Sequence, residues 1–168
     1  MFGWFAHLAG TIFVERSKRS QAARAAEEIG DALGERPLVV LFPEGTSSGG
    51  ETVLPFKSSL FEPAARHRPA LTAGLIAYEL ADGNVSEEVC YWKDMTLVPH
   101  LLNLLSKRTL QACVHFTEAR QETTDRKALA RRLHSEVVRL KTAKSVNSVL
   151  TKQKIPNRSP SEVSFALS

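Results

Sequence analysis

Five consecutive residues hold most of the chemistry this chain offers: Phe42, Pro43, Glu44, Gly45 and Thr46. An apolar run, Leu38 to Phe42, stops at a proline, and a carboxylate follows at once. Pro43 and Gly45 flank that carboxylate, so neither a strand nor a helix continues through it. An acid just past the carboxyl end of a buried strand stands where open α/β sheets hold their ligands. Ionised, Glu44 accepts hydrogen bonds from backbone N–H groups or from a substrate hydroxyl. The same carboxylate could simply tie its own turn together, and the residues alone leave both roles open.

Other candidates lie close by. Residues 45–49, Gly-Thr-Ser-Ser-Gly, fit Gly-x-Ser-x-Gly, which would make Ser47 the nucleophile of a serine hydrolase. That elbow needs a strand before it and a helix directly after it. Gly50 to Pro55 does not read as a helix start, so the hydrolase is a remote alternative. Lys57 precedes a helix start at Ser58, where free N–H groups favour anions. Neither His100, in an apolar stretch, nor His115, between Val114 and Phe116, shows a positioned partner of the kind a general base needs. Cys90 and Cys113 make neither a metal spacing nor a disulfide framework.

These residues need elements to place them. Ile12–Val14 reads as a short strand, and Ser20–Leu33 as a helix with a small-residue face, stopped at Gly34. Leu38–Phe42 is too uniformly apolar to alternate and reads as a strand buried on both faces. Ser58–His67 reads as a helix that Pro63 must kink or delay. Leu71–Tyr78 and Leu110–Phe116 read as strands, Asp82-Gly83-Asn84 as a turn, and Pro99–Leu105 as a short apolar helix. Thr124 or Asp125 caps a last helix to about Leu140, with Leu129, Leu133, Val137 and Leu140 inward. Strands alternating with helices imply an α/β fold, a mostly parallel sheet with helices on both faces.

The same residues carry a resemblance. Phe42-Pro43-Glu44-Gly45-Thr46 resembles the Phe-Pro-Glu-Gly-Thr block of the glycerolipid acyltransferase family, typified by lysophosphatidic acid acyltransferase. Gly10-Thr11-Ile12-Phe13-Val14-Glu15-Arg16 resembles the family's Gly-x-Ile-Phe-Val-x-Arg segment. Leu54-Pro55-Phe56-Lys57-Ser58-Ser59-Leu60-Phe61 and Trp92-Lys93-Asp94-Met95-Thr96 are similar to further family segments. The resemblance runs from residue 2 to residue 141. It implies transfer of a fatty acyl group from acyl-CoA or acyl carrier protein to a lysophospholipid-type hydroxyl, of the 1-acylglycerol-3-phosphate kind, in phospholipid biosynthesis. It implies acceptor binding by Arg16, Glu44, Gly45, Thr46 and Lys57, and no metal or tightly held cofactor.

The family's base is the His of a His-x-x-x-x-Asp pair, its ring fixed by the Asp as in triad logic. Five residues after His7, His67, His100, His115 and His134 stand Ile12, Thr72, Leu105, Arg120 and Arg139. None is an acid, so no catalytic residue is assigned within the chain. The chain is expected to begin after the pair, as an N-terminally truncated acyltransferase domain. Many members place an Arg after the Thr of the central block, where it is taken to meet the acceptor's phosphate. This chain has Ser47, which lacks that bidentate fork. Variants of this kind resemble enzymes that acylate other lysolipids, including lyso-ornithine lipids. The alternative is a non-catalytic lipid-binding module of the same fold.

The 168 residues, 43% hydrophobic and 24% charged, suit one domain with a sizeable core. Met1–Val14 is apolar but shorter than the roughly 20 residues a bilayer span takes, and no basic residue precedes it as in a signal peptide. Charge is uneven: residues 126–158 hold ten Lys or Arg and one acid, Glu136, in a chain whose net charge is +4. Such a stretch suits an anionic membrane surface, or is simply a solvated face. It has no interleaved aromatics to stack on bases, so nucleic acid is not expected as a partner. The expected organisation is a partial acyltransferase domain over residues 1–141 and a basic, disordered tail over 142–168. The expected location is the cytoplasmic face of the membrane, peripheral or through an N-terminal segment not in this sequence.

Overall fold

The computed structural model describes Thr11, residues 19–35 and residues 38–154. The expected strand Ile12–Val14 and the apolar segment Phe2–Leu8 lie outside the described residues.

The first helix, α1, spans Arg19–Glu35. Its alanine-rich sequence has no breaker before Gly34, which falls inside the last turn instead of ending it. A 3-10 turn at Ser58–Phe61 then passes directly into α2, Glu62–His67. Pro63 explains the change of helix type. In the first turn of α2 its missing N–H leaves no intrahelical bond unmade. Strand β1 spans Leu71–Leu80 and β2 spans Leu110–Ala119. Between them run two short helices, α3 at Val85–Glu88 and α4 at Leu97–Leu105. The last helix, α5, spans Arg126–Lys154, and the Asp125 carboxylate accepts the Lys127 N–H at 2.9 Å as its cap.

Three expectations change here. β1 and β2 pair antiparallel, from Leu71 opposite Ala119 to Leu80 opposite Leu110. They form the one sheet among the described residues, in place of a mostly parallel sheet. The link between them holds helices, as a parallel crossover does, but it returns the chain at the end where β1 stopped. Second, Leu38–Phe42 joins no sheet among the described residues, and its burial alternates. Leu41 packs against the core, while Leu38, Val40 and Phe42 are exposed, Val40 at 67%. Uniform apolarity had implied cover on both faces, and one face has it. Third, α5 runs past Leu140 to Lys154, so residues 142–154 of the expected tail are helical. Residues 145–154 are polar but hold no Gly or Pro, and Pro156 is the first breaker beyond them.

The core lies where α5 crosses the inward sheet face and the 3-10 turn. Phe61, Ala65, Ala73, Leu129, Ala130, Leu133 and Val137 form it, with Leu129 only 1% exposed. The outward face of the sheet carries Ile76, Tyr78, Val114 and Phe116, all exposed. Helices on both faces were expected; among the described residues the outward apolar face has none.

Candidate functional site

Glu44 sits at the tip of a turn that the backbone closes. The Gly45 N–H donates to the Phe42 carbonyl at 3.2 Å. Gly45 itself is left-handed, φ +66°, where a side chain is disfavoured. The Lys57 N–H donates to the Pro43 carbonyl at 2.8 Å, pinning the next sequence block to this turn. The Lys57 stem crosses Gly45 so closely that a Cβ there would lie 3.4 Å from Lys57 Cγ. Glu44, Gly45, Thr46 and Lys57 are thus brought together, with Glu44 half-buried and Thr46 and Lys57 exposed. Arg16 lies outside the described residues.

The far side of the loop is packed. Gly49 is buried, and a Cβ there would lie 2.2 Å from Ser86 Oγ and 2.8 Å from the Trp92 ring. The Trp92 indole N–H donates to the Ser86 carbonyl at 2.8 Å. Lys93 places its ammonium 3.9 Å from the Trp92 ring centroid. Gly50, φ +77°, faces the Cys90 thiol. Lys141 reaches in from α5 and donates to the Gly50 carbonyl. Its ammonium also feels the Glu44 and Glu51 carboxylates and the Cys90 sulfur. Burial lowers the Lys141 pKa, and those three groups partly restore it. Burial raises the Cys90 pKa, and Lys141 opposes the rise.

Lys141, Glu51, Cys90 and Trp92 were not among the expected site residues. Cys90 had been set aside as non-ligating, Trp92 was noted only within a family-like segment, and Lys141 was counted among the basic stretch. One signal could have separated Lys141 from its neighbours: it continues the inward series Leu129, Leu133, Val137 by four more residues.

The other candidates separate out. Ser47 is exposed, and the next helical residues begin only at Ser58, so no nucleophile elbow forms. His134 has Nε2 3.3 Å from the Val53 carbonyl and its ring edge-on to Phe56 at 5.2 Å, a packing role. His100 lies against Tyr91, with ring centroids 5.4 Å apart. A cleft of about 920 Å³ opens between α1 and α2, lined by residues that include Asp31, Pro63, Arg66 and His67. It carries charge of both signs and does not include the turn at Glu44. No group of His, Cys, Asp or Glu among the described residues could hold a metal ion. What the site presents is a carboxylate, ammonium groups and a fixed turn, suited to binding a polar head group.

The Acyltransferase family profile matches residues 1–102, and the chain belongs to that family. A lyso-ornithine lipid O-acyltransferase from Brucella abortus is 38% identical over 82% of this chain and 57% of its own length. One of the same name from Rhizobium meliloti is 34% identical over 71% of this chain and 45% of its own. A 1-acyl-sn-glycerol-3-phosphate acyltransferase from Neisseria gonorrhoeae is 28% identical over 77% of this chain and 51% of its own. The chain spans about half the length of the curated relatives it matches. No solved structure gives a significant match.

Proposed function

We propose that this chain is the acceptor-binding part of an O-acyltransferase that acylates a lysolipid hydroxyl. The donor is a thioester, acyl-CoA or acyl carrier protein. The hydroxyl loses its proton to a general base as its oxygen attacks the thioester carbonyl, and the thiol leaves as the ester forms. No histidine of the 168 residues is followed by an acid at the fifth position, so the base is assigned to residues outside this sequence. The donor thioester is a substrate, and the reaction calls for no resident cofactor. In this reading the work is done at the cytoplasmic face of a membrane, where a thioester donor and a lipid acceptor can meet.

The observation that carries this reading is the junction of two sequence blocks. Lys57 is pinned across the Glu44 turn by the Lys57 N–H to Pro43 bond at 2.8 Å. The Lys57 stem thereby lies against Gly45, the residue that follows the Glu44 carboxylate. A carboxylate and a lysine from adjoining blocks suit an amino-acid head group, whose amine would meet Glu44 and whose carboxylate would meet Lys57. The names of the relatives favour the same acceptor, a lyso-ornithine lipid, over a phosphate-bearing one. Ser47 offers no bidentate fork to phosphate.

Binding of lyso-ornithine lipid and of lysophosphatidic acid in detergent micelles, measured by calorimetry, tests the acceptor. Lyso-ornithine lipid is expected to bind tighter, and Glu44→Gln to weaken it about tenfold, the loss of one charge-assisted contact. Tighter binding of lysophosphatidic acid, or indifference to the Glu44 substitution, rejects it. The second reading, a lipid-binding module without catalysis, is favoured by the missing His-x-x-x-x-Asp pair; acyl transfer by the 168-residue chain itself rejects that one.

A further inference from the structure

Helix α4 buries no residue and exposes an apolar stripe. Leu97, Val98, Leu101, Leu102 and Leu105 are all exposed, Leu102 at 64% and Leu105 at 73%. At 100° per residue these five fall within one arc of about 140° on the helix surface. One edge of the helix, beside Leu97, faces the protein: His100 and Leu104 there are half-buried, and the His100 ring lies against Tyr91 at 5.4 Å, while Pro99 and Asn103 across from the arc are exposed. Lys107, just past the helix, pairs with Glu88 of α3. The Glu88 carboxylate also accepts the Asn84 N–H at 2.8 Å. These contacts hold the His100 edge toward the protein and leave the apolar arc exposed. Scattered exposed leucines need no explanation, whereas a continuous aliphatic stripe does.

We propose that α4 docks the protein on a lipid surface, lying in the membrane plane with its leucine arc among the acyl chains. The features around the helix favour lipid over a protein partner. Nine residues make about 13 Å of helix, too short to cross a bilayer but enough to lie along it. Exposed cations stand at both ends: Lys93, four residues before Leu97, and Arg108, three after Leu105. Long basic side chains placed so reach lipid phosphates while their neighbours enter the apolar layer. Tyr91, also exposed, sits at the first end, as aromatics do at membrane interfaces. No described helix is long and apolar enough to cross a membrane. The surface stands apart from the acyl-transfer reading, because its readout is binding alone.

Co-sedimentation of the 168-residue chain with vesicles decides it. One set is phosphatidylcholine alone, and the other includes phosphatidylglycerol. The chain is expected on both, more on the anionic set, with salt removing only the increment. Leu102→Asp and Leu105→Asp are each expected to lower the partition coefficient by about tenfold or more on both sets, since each removes a leucine from the apolar layer. Leu102→Ser, measured alongside with circular dichroism, separates loss of docking from loss of folding at an exposed position. No binding by the parent chain overturns the proposal. So does unchanged binding by the substituted chains. A parent dimer that becomes monomeric on Leu102→Asp, with vesicle binding unaltered, assigns the surface to a second copy and also overturns it.

Discussion

Lys141 extends the buried side of α5 by one helical turn, and this places an ammonium against the Gly50 carbonyl and within reach of Glu44. Its effect on Cys90 is measurable. In a Cys113→Ser background, the pH midpoint of Cys90 alkylation by iodoacetamide should lie above the ordinary thiol value, because burial raises it. Lys141→Met removes the opposing positive charge and should move the midpoint higher still; a lower or unchanged midpoint contradicts the contact. The two groups also act on stability with opposite signs. The folded chain binds a proton at Lys141 less well than the unfolded chain does. Stability therefore rises with pH between the folded Lys141 pKa and the ordinary lysine value. Cys90 holds its proton better when folded, so its contribution is lost as pH rises through the thiol range. Denaturant titrations of Cys90→Ser across the alkaline range should show a stability that climbs more steeply with pH than the parent's. A shallower climb contradicts the assignment. Gly49→Ala should cost about 1–3 kcal/mol in urea unfolding, because its methyl overlaps Ser86 Oγ and the Trp92 ring. At this scale the turn was legible: Pro43 and Gly45 punctuate the chain around Glu44, and the Gly45 N–H closes it on the Phe42 carbonyl. Lys141 was not, since a cation in a basic run looks like any other until the helix phase is known.

Elements were legible where local chemistry decides them. Pro63 marks the change from 3-10 turn to α2, and Asp125 caps α5. The inward stripe of α5 follows the 3.6-residue period, and its centre is Leu129. Leu129→Ala should lower stability by about 2–5 kcal/mol, read from urea unfolding, since it opens a cavity between α5 and the sheet. A loss below about 1 kcal/mol would place the core elsewhere. Strand pairing was not legible. Alternating strand and helix signals look the same whether the chain crosses over or doubles back, and the link holding α3 and α4 doubles back. Leu38–Phe42 misled for a related reason: a uniformly apolar run reports that burial would be favourable, not that both faces find cover. Where α5 ends was missed because polarity was weighed over the absence of helix breakers before Pro156.

At the scale of the molecule, membership of the Acyltransferase family rests on residues 1–102, while the basic helix and its Lys141 contact lie beyond them. Two apolar surfaces remain open among the described residues. One is the α4 arc. The other is the outward sheet face with Ile76, Val114 and Phe116. The proposed reaction separates into parts: acceptor binding at the Glu44 turn, proton removal by residues outside the sequence. The direct measurement is transfer of a labelled acyl group from acyl-CoA and acyl carrier protein to lyso-ornithine lipid. It is made with the 168-residue chain, with the gene's in-frame upstream codons restored, and with Glu44→Ala in the restored protein. Transfer by the restored protein alone, reduced at least about a hundredfold by Glu44→Ala, is the predicted result. Transfer that ignores Glu44→Ala, or that the 168-residue chain performs unaided, contradicts it.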